Sequence, residues 1–260
     1  KEEAQGRIVL VPGKQHHVRF KATDANGNVS ELVFLLKGAS RQEVAAWTVD
    51  EPAGSLFRYD TENVLAEDGV SLTLPALSLY DDTYVRYERK AAPARAIVPL
   101  HVLHDPLTPI HSNCSLYIAT PDLKEELRTK ALIVRIDGES KVNAVGGSYA
   151  NGGMTAQVRT FGAYTVMIDT VPPVITNVDL KADMHGRSMF TLKVADNLSG
   201  IGNWKGQMDG AWVLLEYEPK DKTLKHVFDK HTKTPGKKNF LLEVTDDRGN
   251  TARYETSFTH

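Results

Sequence analysis

The chain has 260 residues, 41% hydrophobic and 25% charged, with a formal net charge of −2 and one cysteine, Cys114. This composition suits a folded chain of two or more domains and excludes a disordered tail. The near-balanced charge gives no long-range attraction to nucleic acid or anionic lipid. A lone cysteine excludes an intrachain disulfide and a multi-cysteine zinc site, and no apolar run approaches the roughly 18 residues of a membrane-spanning helix.

The first elements are strands. Residues 18–22 and 31–36 flank the turn Thr23-Asp24-Ala25-Asn26-Gly27-Asn28 and predict an antiparallel hairpin. The turn is repeated near the other end as Thr245-Asp246-Asp247-Arg248-Gly249-Asn250. Each copy follows a Pro-Gly-Lys step, Pro12-Gly13-Lys14 and Pro235-Gly236-Lys237. The later copy ends a complete-looking domain, whereas the earlier has almost nothing before it. The expectation is a segment of a larger modular protein, cut within its first β-domain, with a hairpin that adds to upstream strands or lies against its neighbour.

A second unit is expected after Ser40. Short strand candidates run through 44–47, 56–59, 70–74, 84–87, 97–100, 115–119, 132–136, 154–158 and 164–168, with Gly, Pro and Asn between them. Such spacing predicts a β-sandwich rather than βα units. Residues 121–127 give the one helical hint, of a turn or two. The glycine pairs around residues 148–151 read as turns.

The third unit opens at Asp169-Thr170-Val171-Pro172-Pro173, a stiff, extended connection. Strands are expected over 174–180, 189–194, 211–217, 223–228, 240–244 and 254–258, with a hairpin at Asp209-Gly210. About 90 residues and seven strands fit an immunoglobulin-like sandwich without the cysteine pair. The predicted architecture is all-β: a terminal hairpin of a truncated immunoglobulin-like domain (1–40), a central β-sandwich (41–168) and an immunoglobulin-like C-terminal domain (169–260).

Few residues suggest chemistry. His101, His104 and Asp105 lie on a strand leading to Pro106, and the adjacent His16 and His17 point to opposite faces. His226, Asp229 and His231 could converge at a loop. The Asp24 turn resembles part of a calcium loop, but Leu35 stands where an EF-hand needs its glutamate. It and the Asp196-Asn197-Leu198-Ser199-Gly200 loop read as turns satisfying their own backbone. The basic run 220–238 reads as a solvated face, and Cys114 as a small core side chain. Trp204, Trp212 and Tyr217, with Tyr254, are candidate ligand-contact aromatics for stacking on sugars, with core packing as the competing role.

Three stretches carry a resemblance: residues 196–201, 208–217 and 243–252, from Asp196-Asn197-Leu198-Ser199-Gly200-Ile201 to Glu243-Val244-Thr245-Asp246-Asp247-Arg248-Gly249-Asn250-Thr251-Ala252. The central stretches 74–82, 146–149 and 159–164 fit as well. Together they resemble the C-terminal immunoglobulin-like accessory region of cell-envelope M23-family metallopeptidases from Bacteroidetes. That resemblance implies a periplasmic or cell-surface location and a zinc peptidase domain upstream, acting on peptidoglycan. It implies no cofactor, metal ligand or catalytic residue in this chain, because His101 and Asp105 match the zinc spacing by letter only and no His-x-His occurs. The expected role is a structural spacer or envelope-binding module, with peptidoglycan, an envelope glycan, another envelope protein or an upstream domain as partner. Two alternatives stand beside it: a glycan-binding or adhesin-like surface module, and a hydrolase using His101 or His104 in the central domain.

Overall fold

The computed structural model describes residues 10–45, 53–138 and 140–260. It divides into two compact units, residues 1–52 and 53–260. In the first, β1 (Gln15–Thr23) and β2 (Val29–Lys37) form the expected hairpin, with Phe20 opposite Leu32 and Thr23 opposite Val29. Asp24 Oδ1 accepts the N–H groups of Asn26 and Asn28, and its Oδ2 accepts Asn28 Nδ2. These bonds hold the Asp24 carboxyl below the usual carboxylate range.

The expected strand over 44–47 is corrected. Arg41–Ala45 is a helix, α1, and Trp47 lies outside the described residues. The physical reason is a capping box: Ser40 Oγ accepts Glu43 N–H at 3.1 Å, and Glu43 Oε2 accepts Ser40 N–H at 2.7 Å.

The second unit begins with a two-stranded pair, β3 (Ser55–Phe57) and β6 (Thr83–Val85). One five-stranded sheet has the order β11 (Lys141–Gly146), β10 (Ala131–Asp137), β14 (Gly162–Ile168), β8 (Leu100–Leu103), β7 (Tyr87–Lys90). The facing sheet runs β12 (Ser148–Ala150), β13 (Gly153–Thr160), β9 (Pro109–Ala119), β5 (Val70–Leu74), β4 (Asn63–Glu67). Alternate residues point inward, as in β5, where Val70, Leu72 and Leu74 are buried and Ser71 and Thr73 are not. They meet Leu116, Ile118, Ile133, Phe161 and Tyr164 in one core. Cys114 belongs to it, and burial pushes its thiol pKa up.

The last sandwich has two four-stranded sheets, β15 (Val174–Asn177), β16 (Met189–Ala195), β20 (Thr223–Val227), β19 (Glu216–Glu218) and β18 (Ala211–Val213), β17 (Ile201–Met208), β21 (Lys237–Asp246), β22 (Thr251–Thr259). In chain order these are strands A-B-E-D facing C′-C-F-G, an immunoglobulin-like arrangement. Phe190 centres the core, its ring 5.0–6.1 Å from those of Phe228, Phe240 and Phe258. The protein is therefore all-β, with tandem β-sandwiches of which one is immunoglobulin-like.

Several boundaries differ from expectation. The run 84–87 breaks at Arg86, and the strand placed at 97–100 forms at Leu100–Leu103, after Pro99. The run 211–217 splits because Leu214-Leu215 carries the chain from one sheet to the other, giving eight strands rather than seven. Residues 174–180 stop at Asn177, whose side chain bonds both the N–H and C=O of Leu180. The helical hint at 121–127 is one 3₁₀ turn at Glu125–Leu127. Residues 148–150, between the two glycine pairs read as turns, form an edge strand against Gly153–Met154–Thr155.

Candidate functional site

His101 is buried on β8, and its Nδ1 lies 2.9 Å from Tyr87 Oη on β7. Burial lowers its pKa below the ordinary 6.5. It faces a cavity of about 450 Å³ between the sheet ends, lined also by Asp68, Arg89, Thr120, Asp122 and Lys124. Arg89 Nη1 is spent on Asp68 at 2.7 Å. His104 does not join His101: it takes a positive φ of 55°, packs its ring edge-on to Phe161 at 5.1 Å, and lines separate clefts. Asp105 caps its own turn by accepting Leu107 N–H. The strand's alternation separates what a helix would have brought together.

The second cluster is closed as well. His226 is buried, its Nδ1 donating to Leu214 O at 2.8 Å and its Nε2 lying 3.3 Å from Thr232 Oγ1. Asp229 Oδ1 accepts the N–H groups of His231 and Thr232 and the Thr232 hydroxyl. Both groups serve loop structure. His16 Nε2 likewise accepts Val11 N–H.

The three aromatic candidates separate. Trp204 is partly buried against the core, donates Nε1–H to Leu215 O at 3.0 Å, and meets the Tyr217 ring at 5.1 Å. Trp212 is 65% exposed on the edge strand β18. It opens onto a cleft of about 530 Å³ with Leu214, Val227, Glu216, Lys225 and His231. An exposed indole with aliphatic neighbours and a rim of both charges offers stacking and hydrogen bonding together.

A third place was not foreseen: the junction of the two sandwiches. Asp246 repeats the bonds of Asp24, its Oδ1 accepting the N–H groups of Arg248 and Asn250 and its Oδ2 accepting Asn250 Nδ2. Where the first turn has Asn26, the second has Arg248, whose Nη1 donates to Ala131 O and Gly147 O at 2.9 and 3.0 Å. Lys130 Nζ donates back to Arg248 O at 2.8 Å, and Asn250 Nδ2 to Asp169 O at 3.0 Å. Leu198 packs on Leu132, Val134 and Met167 from the outer face of β10 and β14. Asp169, Asp196 and Asp246 thereby converge, one carboxylate oxygen of each lying within 4.8 Å of the others. The one legible signal was the arginine at a position of the repeated Asp-x-x-Gly-Asn turn where the first copy has Asn26.

Among known proteins, the Zu5-like domain family matches residues 54–169, less than half of the chain and the segment that forms the ten-stranded sandwich. No curated protein matches. The similar solved structures include PcdhgB3 EC1-4, at 10% identity and a TM-score of 0.26 over 94% of this chain, and the extracellular domain of BT3049 from B. thetaiotaomicron, at 12% identity and 0.25 over 92%. The chain spans 64% of the first and 37% of the second, less than two thirds of either. With TM-scores this low, neither likeness bears on fold or role. Among the described residues, no helix is long and apolar enough to cross a membrane.

Proposed function

We propose that this chain is a non-catalytic, adhesin-like module of the cell envelope that binds a glycan at the Trp212 cleft. The exposure of that indole beside Leu214 and Val227 carries the reading. Large apolar groups left in water at an edge strand mark binding surfaces when polar groups ring them. A pyranose ring has the matching chemistry, with an apolar face for the indole and hydroxyls for Glu216 and Lys225. The division we propose is a hairpin segment (1–40), a Zu5-like sandwich within 41–168 and an immunoglobulin-like sandwich (169–260).

A spacer role beside an envelope peptidase is the second reading. It is favoured by the side-chain clamp between the sandwiches at Arg248, Lys130 and Asn250, which suits a part that holds an attached domain at a fixed angle. In both readings peptidoglycan or another envelope glycan is the proposed partner.

A glycan array probed with the intact chain tests the binding role. Glycan binding is expected, with Trp212→Ala weakening it at least about tenfold, the scale of a 1.4 kcal/mol loss. A Trp204→Phe variant should leave affinity unchanged. Unaltered binding in Trp212→Ala, or no bound glycan, would reject this reading.

A further inference from the structure

We infer that Asp169, Asp196 and Asp246 form a calcium site that fastens the central sandwich to the immunoglobulin-like one. The starting observation is a charge problem. Three carboxylates converge where two of the residues, Asp169 and Asp246, are 1% and 4% exposed. None of the ion pairs among the described residues includes any of the three. The neighbouring cations are turned to backbone carbonyls, Lys130 to that of Arg248 and Arg248 to those of Ala131 and Gly147. Asp169 and Asp246 accept N–H groups at both of their oxygens, but neutral donors offset buried negative charge only in part, and a metal ion would supply the counter-charge.

Two sealed oxygen atoms point to a ligand independently of the acidic residues' proximity. Asp196 uses Oδ2 to accept the N–H groups of Leu198 and Gly200, so its own loop is satisfied by one oxygen. The other, Oδ1, is shut off from solvent and has no partner. Ser199 is 6% exposed, and its Oγ is also sealed and unpartnered. Its backbone N–H donates to Asp169 Oδ2 at 2.9 Å, which places the residue beside the cluster. A buried carboxylate oxygen and a buried hydroxyl without partners each cost free energy that a cation would offset.

The chemistry selects the ion. Every donor available is an oxygen, which suits a hard cation and not zinc or copper. Calcium accepts oxygen ligands at about 2.4 Å in flexible arrangements and takes side-chain oxygens from several chain segments at once, as the three converging carboxylates would supply them. Magnesium demands a tighter octahedron at about 2.1 Å. The ligands come from three places in the chain: the end of β14, the loop after β16 and the turn after β21. Binding therefore ties the sandwiches together.

The test is isothermal titration of calcium into the chelator-treated 260-residue chain, paired with thermal unfolding. We expect one site per chain and an upward shift in Tm of roughly 5–10 °C at a hundredfold excess over Kd. Asp196→Asn keeps an oxygen for the Leu198 and Gly200 N–H groups, so it should fold, bind no calcium and show no shift. Ser199→Ala should bind more weakly, and Asp247→Asn, in the same turn but exposed, should bind as the parent does. Absence of binding by the parent chain would overturn the site, as would a shift that persists in Asp196→Asn. An equal response to magnesium would overturn the assignment to calcium.

Discussion

At the scale of single residues, burial decides chemistry. His101 is buried beside Tyr87 Oη, and desolvation disfavours its charged form, lowering its pKa from 6.5. His104 is lowered for the same leading reason. The unfolded chain then binds protons more readily than the folded one just below 6.5. Stability from keeping these rings neutral is present above that pH and is lost as pH falls toward the folded-state values. In an NMR titration the His101 imidazole should show its midpoint below 6.5. A His101 midpoint at or above 6.5 would contradict the burial described. Cys114, with no exposed surface and a raised pKa, is core material rather than a nucleophile.

At the scale of elements, the turns do more specifying than the strands. Asp209 and Gly210 both take positive φ, 51° and 83°, which joins β17 to β18 by a tight two-residue turn. Gly210→Ala should therefore cost about 1–2 kcal/mol, read by urea denaturation, although a side chain there would touch nothing within 4 Å. An unchanged midpoint would mean that the turn tolerates a different backbone shape. Much of this was readable, since glycine beside Asp or Asn between alternating apolar runs has a direct backbone cause. Strands β4 and β12 were not readable: Asn63, Ala66, Glu67, Ser148 and Ala150 have weak strand preference, and the neighbouring strands impose their conformation. Ser40 stands three residues before Glu43, the spacing of a capping box, and the strand reading over 44–47 passed over it.

At the scale of the whole second unit, one turn serves as both a hairpin end and a domain clamp. Arg248 supplies two charge-assisted hydrogen bonds to carbonyls of the central sandwich. Replacing it by alanine should cost about 1.5–3 kcal/mol of stability and uncouple the two sandwiches. Thermal unfolding would then separate into two transitions, whereas a single unshifted transition would show that Leu198, Lys130 and Asn250 hold the junction without it. Asn26→Ala in the first hairpin, the equivalent position, should leave this transition alone.

The amino-acid sequence by itself determined the all-β class, the immunoglobulin-like character of the last domain and the repeated Asp-x-x-Gly-Asn turn, because alternation and turn chemistry are local properties. It also named Trp212 as a candidate, but not that Trp204 and Tyr217 would pack together instead. Only the tertiary structure decided which side chains meet. Asp169 lies 27 residues before Asp196 and 77 before Asp246 in the chain; their convergence depends on how two sheets stack and on one arginine reaching across, and no local pattern encodes a distance of that kind.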